Sequence, residues 1–446
     1  MRVLHVGNVA NNGYLNAKLQ RRVGIEADAI CDERHILSLP EWEDADLRGS
    51  FEPYPDAGAI GRAAGWERPA WVLEEDDPVR RRRFRGQHFL EGLLRAHVGP
   101  LLRPRARSRL RREYGPLRRA LPGDLRYRDL GRGLLDLHRF SLHWPDPPAL
   151  FARYDVVQAY ATHPILAYLA GARPYVAFEH GTLRELPFED TYRGRLLSLA
   201  YRAAAKVVIT NPDVRAAAER LALTDYVFIP HPVDETKYAP GPTPFRAEHG
   251  LGQELLLLSP SSQTWSIKAN DVLLRGFASF LAGEAPATLV LTEWGPDVER
   301  SRGLAGKLGV AEHVRWLPPL PKPRLIEAYR AADVVLDQFL LGTFGAVAPE
   351  AMACARPVVM AFEPELHRWC FPELPPIVAA REPGEVADAL ARLAASRDER
   401  GRVGGDSRRW IERHHGWRLV VDRQRAVYEE VVERARAGRG APAGRG

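Results

Sequence analysis

Cysteine, methionine and lysine are scarce in this chain of 446 residues, which contains three Cys, three Met and six Lys. The cysteines Cys31, Cys354 and Cys370 are too few for a disulfide framework, and their spacing forms no C-x-x-C metal pair. No uncharged apolar stretch reaches about 18 residues, which excludes a membrane-spanning helix. No leader-like segment precedes the first apolar run, residues 2–6. We therefore expect a cytoplasmic protein in a reducing compartment.

Acidic residues are nearly absent from one segment. Residues 79–133 hold seventeen Arg against four acids, so this segment carries +13, whereas the whole chain carries +6. Such concentrated charge indicates an anionic partner. Within 79–119 the arginines are interleaved with Phe and Leu, which suits peripheral binding to an anionic membrane surface. The alternative interpretation is that this segment is only a solvated face of an Arg-rich chain. Nucleic acid is not expected, because no motif that reads it is present.

Short runs rich in Val, Ile and Leu alternate with amphipathic helical stretches along the whole chain. Unbroken apolar runs are typical of parallel strands buried on both faces, and their alternation with helices predicts an α/β fold with doubly wound sheets. Two sets of about six runs predict two similar domains. The runs are 2–6, 26–31, 155–160, 174–179, 205–209, 225–229, 254–259, 288–292, 313–317, 333–337, 357–361 and 376–379.

Proline and glycine mark the boundary between the two predicted domains. They cluster at 230–252, which separates a first domain, 1–232, from a second, 233–415. An insertion at about 40–150 interrupts the first domain with further helices and loops. The small, basic residues of the tail, 437–446, predict disorder.

The strongest chemical signal lies in residues 331–361. A predicted strand is followed by a loop with Gly342 and Gly345 and then by a helix over about Val347–Cys354. A helix N-terminus at the carboxyl edge of a parallel sheet favours anions such as a diphosphate. Gly345 would let a ligand approach the backbone, and Glu350 would reach a ribose diol. Alternatively, the glycines only shape a turn and Glu350 is a solvated helix residue.

These residues resemble a known family. The sequence EAMACARPVV, after the loop, resembles the donor-binding motif of retaining glycosyltransferases of family 4. SPSSQTWSIKANDVLLRGF resembles the family's strand and lysine-bearing loop, and the opening MRVLHVGNVANNG resembles its first strand and loop. The resemblance covers residues 1–36 and about 155–430. It implies the GT-B fold, in which two Rossmann-like, doubly wound parallel-sheet domains face each other across a cleft and a final helix, 416–436, crosses back to the first domain.

The resemblance also implies roles for single residues. Glu350 would bind the ribose of a nucleotide sugar, Lys268 would neutralise its diphosphate, and His180 would contact the transferred sugar. Further donor contacts are implied for the loop backbone, for the first-strand loop and for positions near the diphosphate and base, namely Phe344, Gly345, Ala346, Val347, Gly7, Gly13, Ser262, Glu293 and Leu320. For Glu293, a cap on local structure is the alternative.

The chain departs from the family pattern at three places. Gly342 stands where the first Glu of an E-x7-E motif is expected. The donor-site Arg of the family is missing, and the stretch where it is expected holds Ser262, Gln263 and Thr264. Ala269 replaces the Gly that usually follows the lysine. The missing Glu removes a contact with a sugar hydroxyl, and the missing Arg removes a charge from the diphosphate site.

The resemblance predicts a retaining, metal-independent glycosyltransferase. Its co-substrate would be a nucleotide sugar, and its acceptor a glycan, a lipid-linked molecule or a small molecule. No metal is expected, because the D-x-D-like Asp44-Ala45-Asp46 lies in the insertion rather than after a donor-domain strand. A catalytically weak GT-B partner subunit is the alternative. A Rossmann oxidoreductase is disfavoured, because GNVANNG lacks the G-x-G-x-x-G spacing.

Overall fold

The computed structural model describes residues 1–73, 127–144, 146–283 and 286–440. Within them, the strands form two separate sheets in which every paired strand is parallel to its neighbour. The arginine-rich stretch 79–119 lies outside the described residues, so its anionic partner stays a prediction. No described helix combines the length and the apolar composition that crossing a membrane requires.

The first sheet has seven strands in the order β3-β2-β1-β4-β5-β6-β7. The chain builds outward from β1 to one edge and then returns to build the other, as in doubly wound folds. The strands are β1 Arg2–Val6, β2 Glu26–Ile30, β3 Val72–Leu73, β4 Val156–Tyr160, β5 Tyr175–Phe178, β6 Lys206–Ile209 and β7 Tyr226–Phe228. The helices are α1 Asn12–Arg21, α2 Pro40–Asp44, α3 Ala57–Ala63, α4 Tyr127–His143, α5 Pro147–Phe151, α6 Pro164–Leu169, α7 Tyr192–Arg202 and α8 Arg215–Arg220.

The second sheet repeats this plan with six strands in the order β10-β9-β8-β11-β12-β13. The strands are β8 Leu255–Ser259, β9 Ala287–Thr292, β10 Val314–Leu317, β11 Val334–Leu336, β12 Val358–Met360 and β13 Val378–Ala379. The helices are α9 Phe245–Glu248, α10 Trp265–Lys268, α11 Asn270–Leu281, α12 Val298–Lys307, α13 Lys322–Ala331, α14 Val347–Ala353, α15 Pro364–His367, α16 Pro383–Ala395, α17 Arg397–His414 and α18 Trp417–Gly440.

Both sheets are covered on both faces. In β1, Leu4 and Val6 pack into one hydrophobic cluster and Val3 into the cluster on the opposite face. Burying one such side chain contributes about 1.5–3 kcal/mol to folding, so a strand of this kind gains from every residue. Each predicted apolar run contains a strand, which confirms the α/β prediction. The sequence pattern missed β3, whose two residues pair with β2 at the sheet edge.

The two chain crossings between the domains lie side by side. The N–H of Val233, on the first crossing, donates to the His415 carbonyl on the second, at 2.8 Å. The second crossing leads into α18, which packs on the first domain. There Val420 and Tyr428 join the cluster that contains Val3, and Gln20 Nε2 donates to the Tyr428 hydroxyl at 2.8 Å. The helix runs to Gly440. It therefore extends into the segment 437–446 for which the sequence predicts disorder.

Candidate donor site between two Rossmann-like domains

The strand order of the second sheet reverses between β8 and β11, which are neighbours. Connections from two such strands leave toward opposite faces, so a crevice opens between the loops that follow them. These loops are residues 260–264 and 337–346. Ligands of doubly wound sheets bind in this crevice, and the candidate donor site is therefore built on these two loops.

Lys268 lies where the two loops meet. Its Nζ is 3.6 Å from Asp337 Oδ1 and 3.5 Å from Gln338 Oε1, both in the loop after β11. The backbone carbonyl of Lys268 accepts a hydrogen bond from the Phe339 N–H at 3.0 Å, which ties the loops together. Because its side chain is 20% exposed and its contacts are long, the ammonium is able to approach an anion in the crevice.

Buried polar atoms without a partner gather around this crevice. Gln263 stands in the stretch where the resemblance places an arginine. It is fully buried, and neither its amide oxygen nor its amide nitrogen has a hydrogen-bond partner among the described residues. Asp337 accepts a bond from Ser261 Oγ at 2.6 Å through Oδ1, while its buried Oδ2 has no partner in the same set. Such atoms are uncommon because each costs free energy. These three atoms on the two loops favour a polar ligand in the crevice.

The loop after β11, residues 337–346, is called the donor loop. It exposes its backbone, whereas the large side chain of Phe344 is buried. The Phe344 ring is buried and stacks on His367, with 5.2 Å between ring centroids. Gly345 and Ala346 are exposed, and a Cβ added at Gly345 would meet no atom within 4 Å. No side chain caps the start of α14 at Val347. The loop backbone therefore borders open space, as a ligand contact requires, and Phe344 supports the loop from within the core.

Glu350 is buried at 8% exposure, one turn into α14. Its Oε1 accepts a hydrogen bond from Lys322 Nζ, and its Oε2 accepts one from the Tyr329 hydroxyl at 3.1 Å. The alternative interpretation, a solvated helix residue, is therefore wrong. Sequence reasoning selected Glu350 but missed Lys322, which belongs to no motif. The available signal is its rarity, since lysine occurs six times in the chain.

Glu363 explains the glycine at position 342. A Cβ added at Gly342 would lie 2.5 Å from the Glu363 Cβ and 3.1 Å from its Oε2. Glu363 follows β12, and its N–H donates to the Gly342 carbonyl at 2.9 Å. Its partly exposed carboxylate is 3.7 Å from Arg381. A carboxylate thus stands beside the position of the missing first Glu, although it comes from the neighbouring loop.

In the first domain, the two glycines of the first-strand loop are required by packing. Gly7 has a φ of +93°, and a Cβ there would lie 2.4 Å from His163 Nδ1. A Cβ at Gly13 would lie 2.3 Å from the Gly7 carbonyl oxygen. Both residues must therefore lack a side chain to bring the loop, α1 and His163 together. Their predicted contact with a ligand stays a prediction.

His180 follows β5 at the same sheet edge. Asn12 Nδ2 lies 3.4 Å from His180 Nδ1, and the His231 ring packs edge-on at 5.2 Å between centroids. Burial and, to a smaller degree, the charge of Arg184 lower the pKa of His180 to about 4. The ring is therefore neutral near pH 7. Because the Asn12 amide donates to Nδ1, the ring proton is on Nε2.

A cavity of about 380 Å³ lies at the carboxyl edge of the first sheet, beside His163. Phe140, Trp144, Ile165 and Leu166 form its apolar lining. Burial disfavours a charged His163, but Asp32, which accepts from Nε2 at 2.9 Å, raises its pKa to about 9 together with Glu33 and the Tyr160 carbonyl. Charged residues line the cavity with a net excess of cations, namely Arg34, Arg139, Arg193 and His163 against Asp32 and Asp136.

Three further predicted residues have protein partners. Ser262 Oγ accepts from Thr264 Oγ1 at 3.1 Å. The Glu293 carboxylate accepts from Arg302 in an exposed ion pair, and its predicted contact with a ligand stays a prediction. Leu320 is half-buried and packs against the cluster that contains Tyr329.

Asp44, in the D-x-D-like sequence, contacts cations of the protein itself. Lys18 Nζ lies 2.6 Å from its carboxylate and Lys237 Nζ lies 3.4 Å away. Donor atoms of Asp32, Glu33 and His163 lie within 4.8 Å of one another, a grouping that the sequence pattern did not indicate. His163 directs one nitrogen to Asp32 and the other to the Tyr160 carbonyl at 3.1 Å, so both ring nitrogens have partners.

Loops of the two sheets meet across the cleft. Trp369 Nε1, after β12, donates to the Pro212 carbonyl, after β6, at 3.0 Å. Lys237 Nζ donates to the carboxylate of Glu43, in α2, at 2.7 Å. Two doubly wound parallel sheets that face each other in this way, joined by adjacent crossings and a returning helix, define the GT-B class of α/β proteins.

Sequence comparison agrees with this class. Residues 246–368 match the family model described as glycosyl transferases group 1. A D-inositol 3-phosphate glycosyltransferase of Saccharomonospora viridis is 33% identical over 245 residues, or 52% of this chain and 57% of the relative. Another from Actinosynnema mirum is 34% identical over 225 residues, or 46% and 53%. The resemblance to GT-B glycosyltransferases is confirmed. The chain spans about half the length of the curated relatives it matches.

Solved structures of low sequence identity share the whole fold. Sucrose-phosphate synthase from Thermosynechococcus elongatus superposes with a TM-score of 0.61 at 14% identity, over 97% of this chain and 99% of that one. Anabaena HepE in complex with UDP gives 0.59 at 12% identity, over 96% and 100%. The GT-B fold predicted from the sequence is therefore confirmed.

Proposed function

We propose that this protein is a retaining glycosyltransferase that moves a sugar from a nucleotide-sugar donor, held by the second domain, to an acceptor held by the first. The observation that carries the proposal is the content of the β8/β11 crevice. A cation, Lys268, and the exposed backbone of Gly345 and Ala346 border it, and a buried carboxylate, Glu350, lies one turn into the helix that follows. These are the groups that a diphosphate, a closely approaching sugar and a ribose diol require.

The donor half of the reaction follows from charge. As the bond from the anomeric carbon to the diphosphate breaks, negative charge grows on the diphosphate and positive charge on the sugar. Lys268 stabilises the first, and backbone amides at 345–347 add donors that need no reorganisation. Gln263 is buried, its amide has no partner within the part of the chain that the structure describes, and it stands in the stretch where the resemblance places an arginine. It would offer its amide to the same group. Glu350 accepts from the ribose hydroxyls.

His180 suits a contact with the sugar rather than a role as general base. With a pKa of about 4 it binds a proton weakly, and its Nδ1 accepts from Asn12. Its Nε2–H is then available to donate to a hydroxyl of the transferred sugar. Loss of this donor should lower the rate of transfer more than the affinity for the nucleotide alone.

The cavity beside His163 supports an acceptor that carries a phosphate or carboxylate group. Its apolar side suits a ring or chain, while Arg34, Arg139 and Arg193 supply cations. Two matched relatives are named for action on D-inositol 3-phosphate, a phosphorylated cyclitol. An anionic membrane surface for 79–119 is a separate proposal, and deletion of that segment should abolish sedimentation with anionic vesicles at low salt.

The test begins with thermal stabilisation by UDP, GDP, ADP, TDP and CMP. A nucleotide at about 100 times its dissociation constant should stabilise the fold by about 2.7 kcal/mol. Glu350→Ala should abolish the shift and Lys268→Ala should reduce it for diphosphates, while Lys307→Ala, at an exposed helix end, should not change it. Hydrolysis of the matching nucleotide sugar, followed by NMR, should release the α-anomer first from an α-linked donor. Stabilisation without any transfer or hydrolysis would favour the partner-subunit alternative.

A further inference from the structure

The carboxylate of Glu350 is held from two sides by residues of α13. Lys322, the first residue of that helix, donates to Oε1, and Tyr329, two turns further along, donates to Oε2 at 3.1 Å. The Lys322 and Glu350 side chains are 18% and 11% exposed. Among the described residues, Lys322 is the cation that forms an ion pair with Glu350. The contact therefore joins α13 of the second domain to the start of α14, beside the donor loop.

A buried carboxylate is costly unless hydrogen bonds hold it, and the two donors of α13 supply such bonds to Glu350. Hydrogen bonds to both oxygens also fix the orientation of the carboxylate. Each carboxylate oxygen has about two lone-pair positions, so Lys322 and Tyr329 occupy one on each oxygen and leave one on each free. Two neighbouring hydroxyls are the ligand that fits this arrangement.

We propose that Lys322 is a positioning residue for the nucleoside diphosphate: it holds the Glu350 carboxylate in the orientation in which both oxygens accept from the ribose 2′- and 3′-hydroxyls. The inference rests on the proposed function, because it needs a nucleotide in the crevice. Lys322 acts through Glu350 and does not itself touch the reacting atoms. A lysine suits the role because its compact ammonium fits one oxygen, while the planar fork of an arginine favours both.

The test separates the ribose contact from the rest of nucleotide binding. Calorimetry measures the affinities of UDP, 2′-deoxy-UDP and 2′,3′-dideoxy-UDP for the wild type, Lys322→Met, Lys322→Gln and Glu350→Gln, with GDP and its deoxy forms where the thermal panel selects guanine. Lys322→Met should weaken UDP binding about tenfold, since that corresponds to the loss of one charge-assisted hydrogen bond. Its affinity for the dideoxy nucleotide should match that of the wild type within about twofold. Lys307→Met is the matched control and should leave all affinities unchanged.

A double variant completes the test. In Lys322→Met with Glu350→Gln, the lysine replacement should add less than twofold to the loss from Glu350→Gln, because its effect passes through the carboxylate. Equal losses for UDP and the dideoxy nucleotide, or additive losses in the double variant, would overturn the proposal. If Lys322→Met does not fold, Lys322→Gln supplies the same comparison. If Lys322→Met discriminates ribose from dideoxyribose as strongly as the wild type does, the proposed function stands and only this inference is rejected. If the wild type binds no nucleotide, both are rejected.

Discussion

At the scale of single residues, Gly342 and Gly345 of the donor loop differ in the space around them. A Cβ at Gly342 would lie 2.5 Å from the Glu363 Cβ, whereas one at Gly345 would meet nothing within 4 Å. We therefore expect Gly342→Ala to lower the free energy of unfolding by about 1–3 kcal/mol, since overpacking forces backbone shifts. Gly345→Ala should change it by no more than about 0.5 kcal/mol. Urea denaturation measures both.

The effects of the same two variants on ligand affinity should have the opposite order to their effects on stability. The Cβ added at position 345 would occupy the open space beside the loop. Gly345→Ala should therefore weaken the binding of the nucleotide sugar while leaving stability unchanged. Equal stability losses for the two variants would contradict the packing argument. Unchanged affinity in Gly345→Ala would contradict the placement of the donor beside this loop.

The sequence indicated residues of the site that lie within a motif and missed those that do not. Lys268 and Glu350 belong to segments with a recognisable spacing, and both lie in or beside the crevice. Lys322 begins helix α13 and Glu363 lies in the loop after β12, so each reaches the site only through folding. Periodicity reports which face of an element is buried, but it does not report which loops of neighbouring strands touch.

At the scale of elements, the short helix α10 ends at a residue with strained backbone. Ala269 has φ +49°, the left-handed conformation that costs a non-glycine residue about 1–2 kcal/mol. We expect Ala269→Gly to range from neutral to about 1 kcal/mol stabilising, and Ala269→Val to destabilise by about 2 kcal/mol or more, because a β-branched residue fits that conformation worst. Thermal and urea denaturation measure the two changes.

Ala355 provides the matched control for this element, since its φ is +58° and it lies outside the two loops of the crevice. Ala355→Gly should change stability as Ala269→Gly does but leave nucleotide affinity as it is. Ala269→Gly makes the backbone next to Lys268 more flexible, so it should weaken the binding of nucleoside diphosphates. Identical binding by both glycine variants would mean that α10 does not position the lysine.

Elements with long apolar runs were predictable, whereas short or context-dependent ones were not. The central strands β1, β4 and β8 are buried on both faces and are rich in Val and Leu, although β1 contains His5 and β4 contains Gln158. By contrast, β3 consists of Val72 and Leu73 alone and exists because β2 offers an unpaired edge. Helix α18 continues to Gly440, since packing of its earlier turns on the first domain removes the cost of nucleation.

At the scale of the whole molecule, folding fixes the protonation of several histidines. Burial lowers the pKa of His5 to about 4 and that of His415 to about 3. Burial also opposes charge on His163, but Asp32 raises its pKa to about 9. Neutral His5 and His415 therefore stabilise the fold fully above pH 6.5, the pKa of an unfolded histidine, and less as the pH falls. The protonated His163 ring makes its full contribution to the stability of the fold below pH 6.5, and this contribution is lost as the pH rises through 9.

His163→Gln should therefore be most destabilising below pH 6.5. Its difference from the wild type in unfolding free energy should shrink by about 1.4 kcal/mol per pH unit up to pH 9, because in this range the wild type releases the His163 proton on unfolding and the variant has no such proton to release. Urea denaturation from pH 6 to 9 measures it. A constant difference for His163→Gln over this range would mean that the ring is uncharged. The cavity beside it would then lose one of the cations that favour an anionic acceptor.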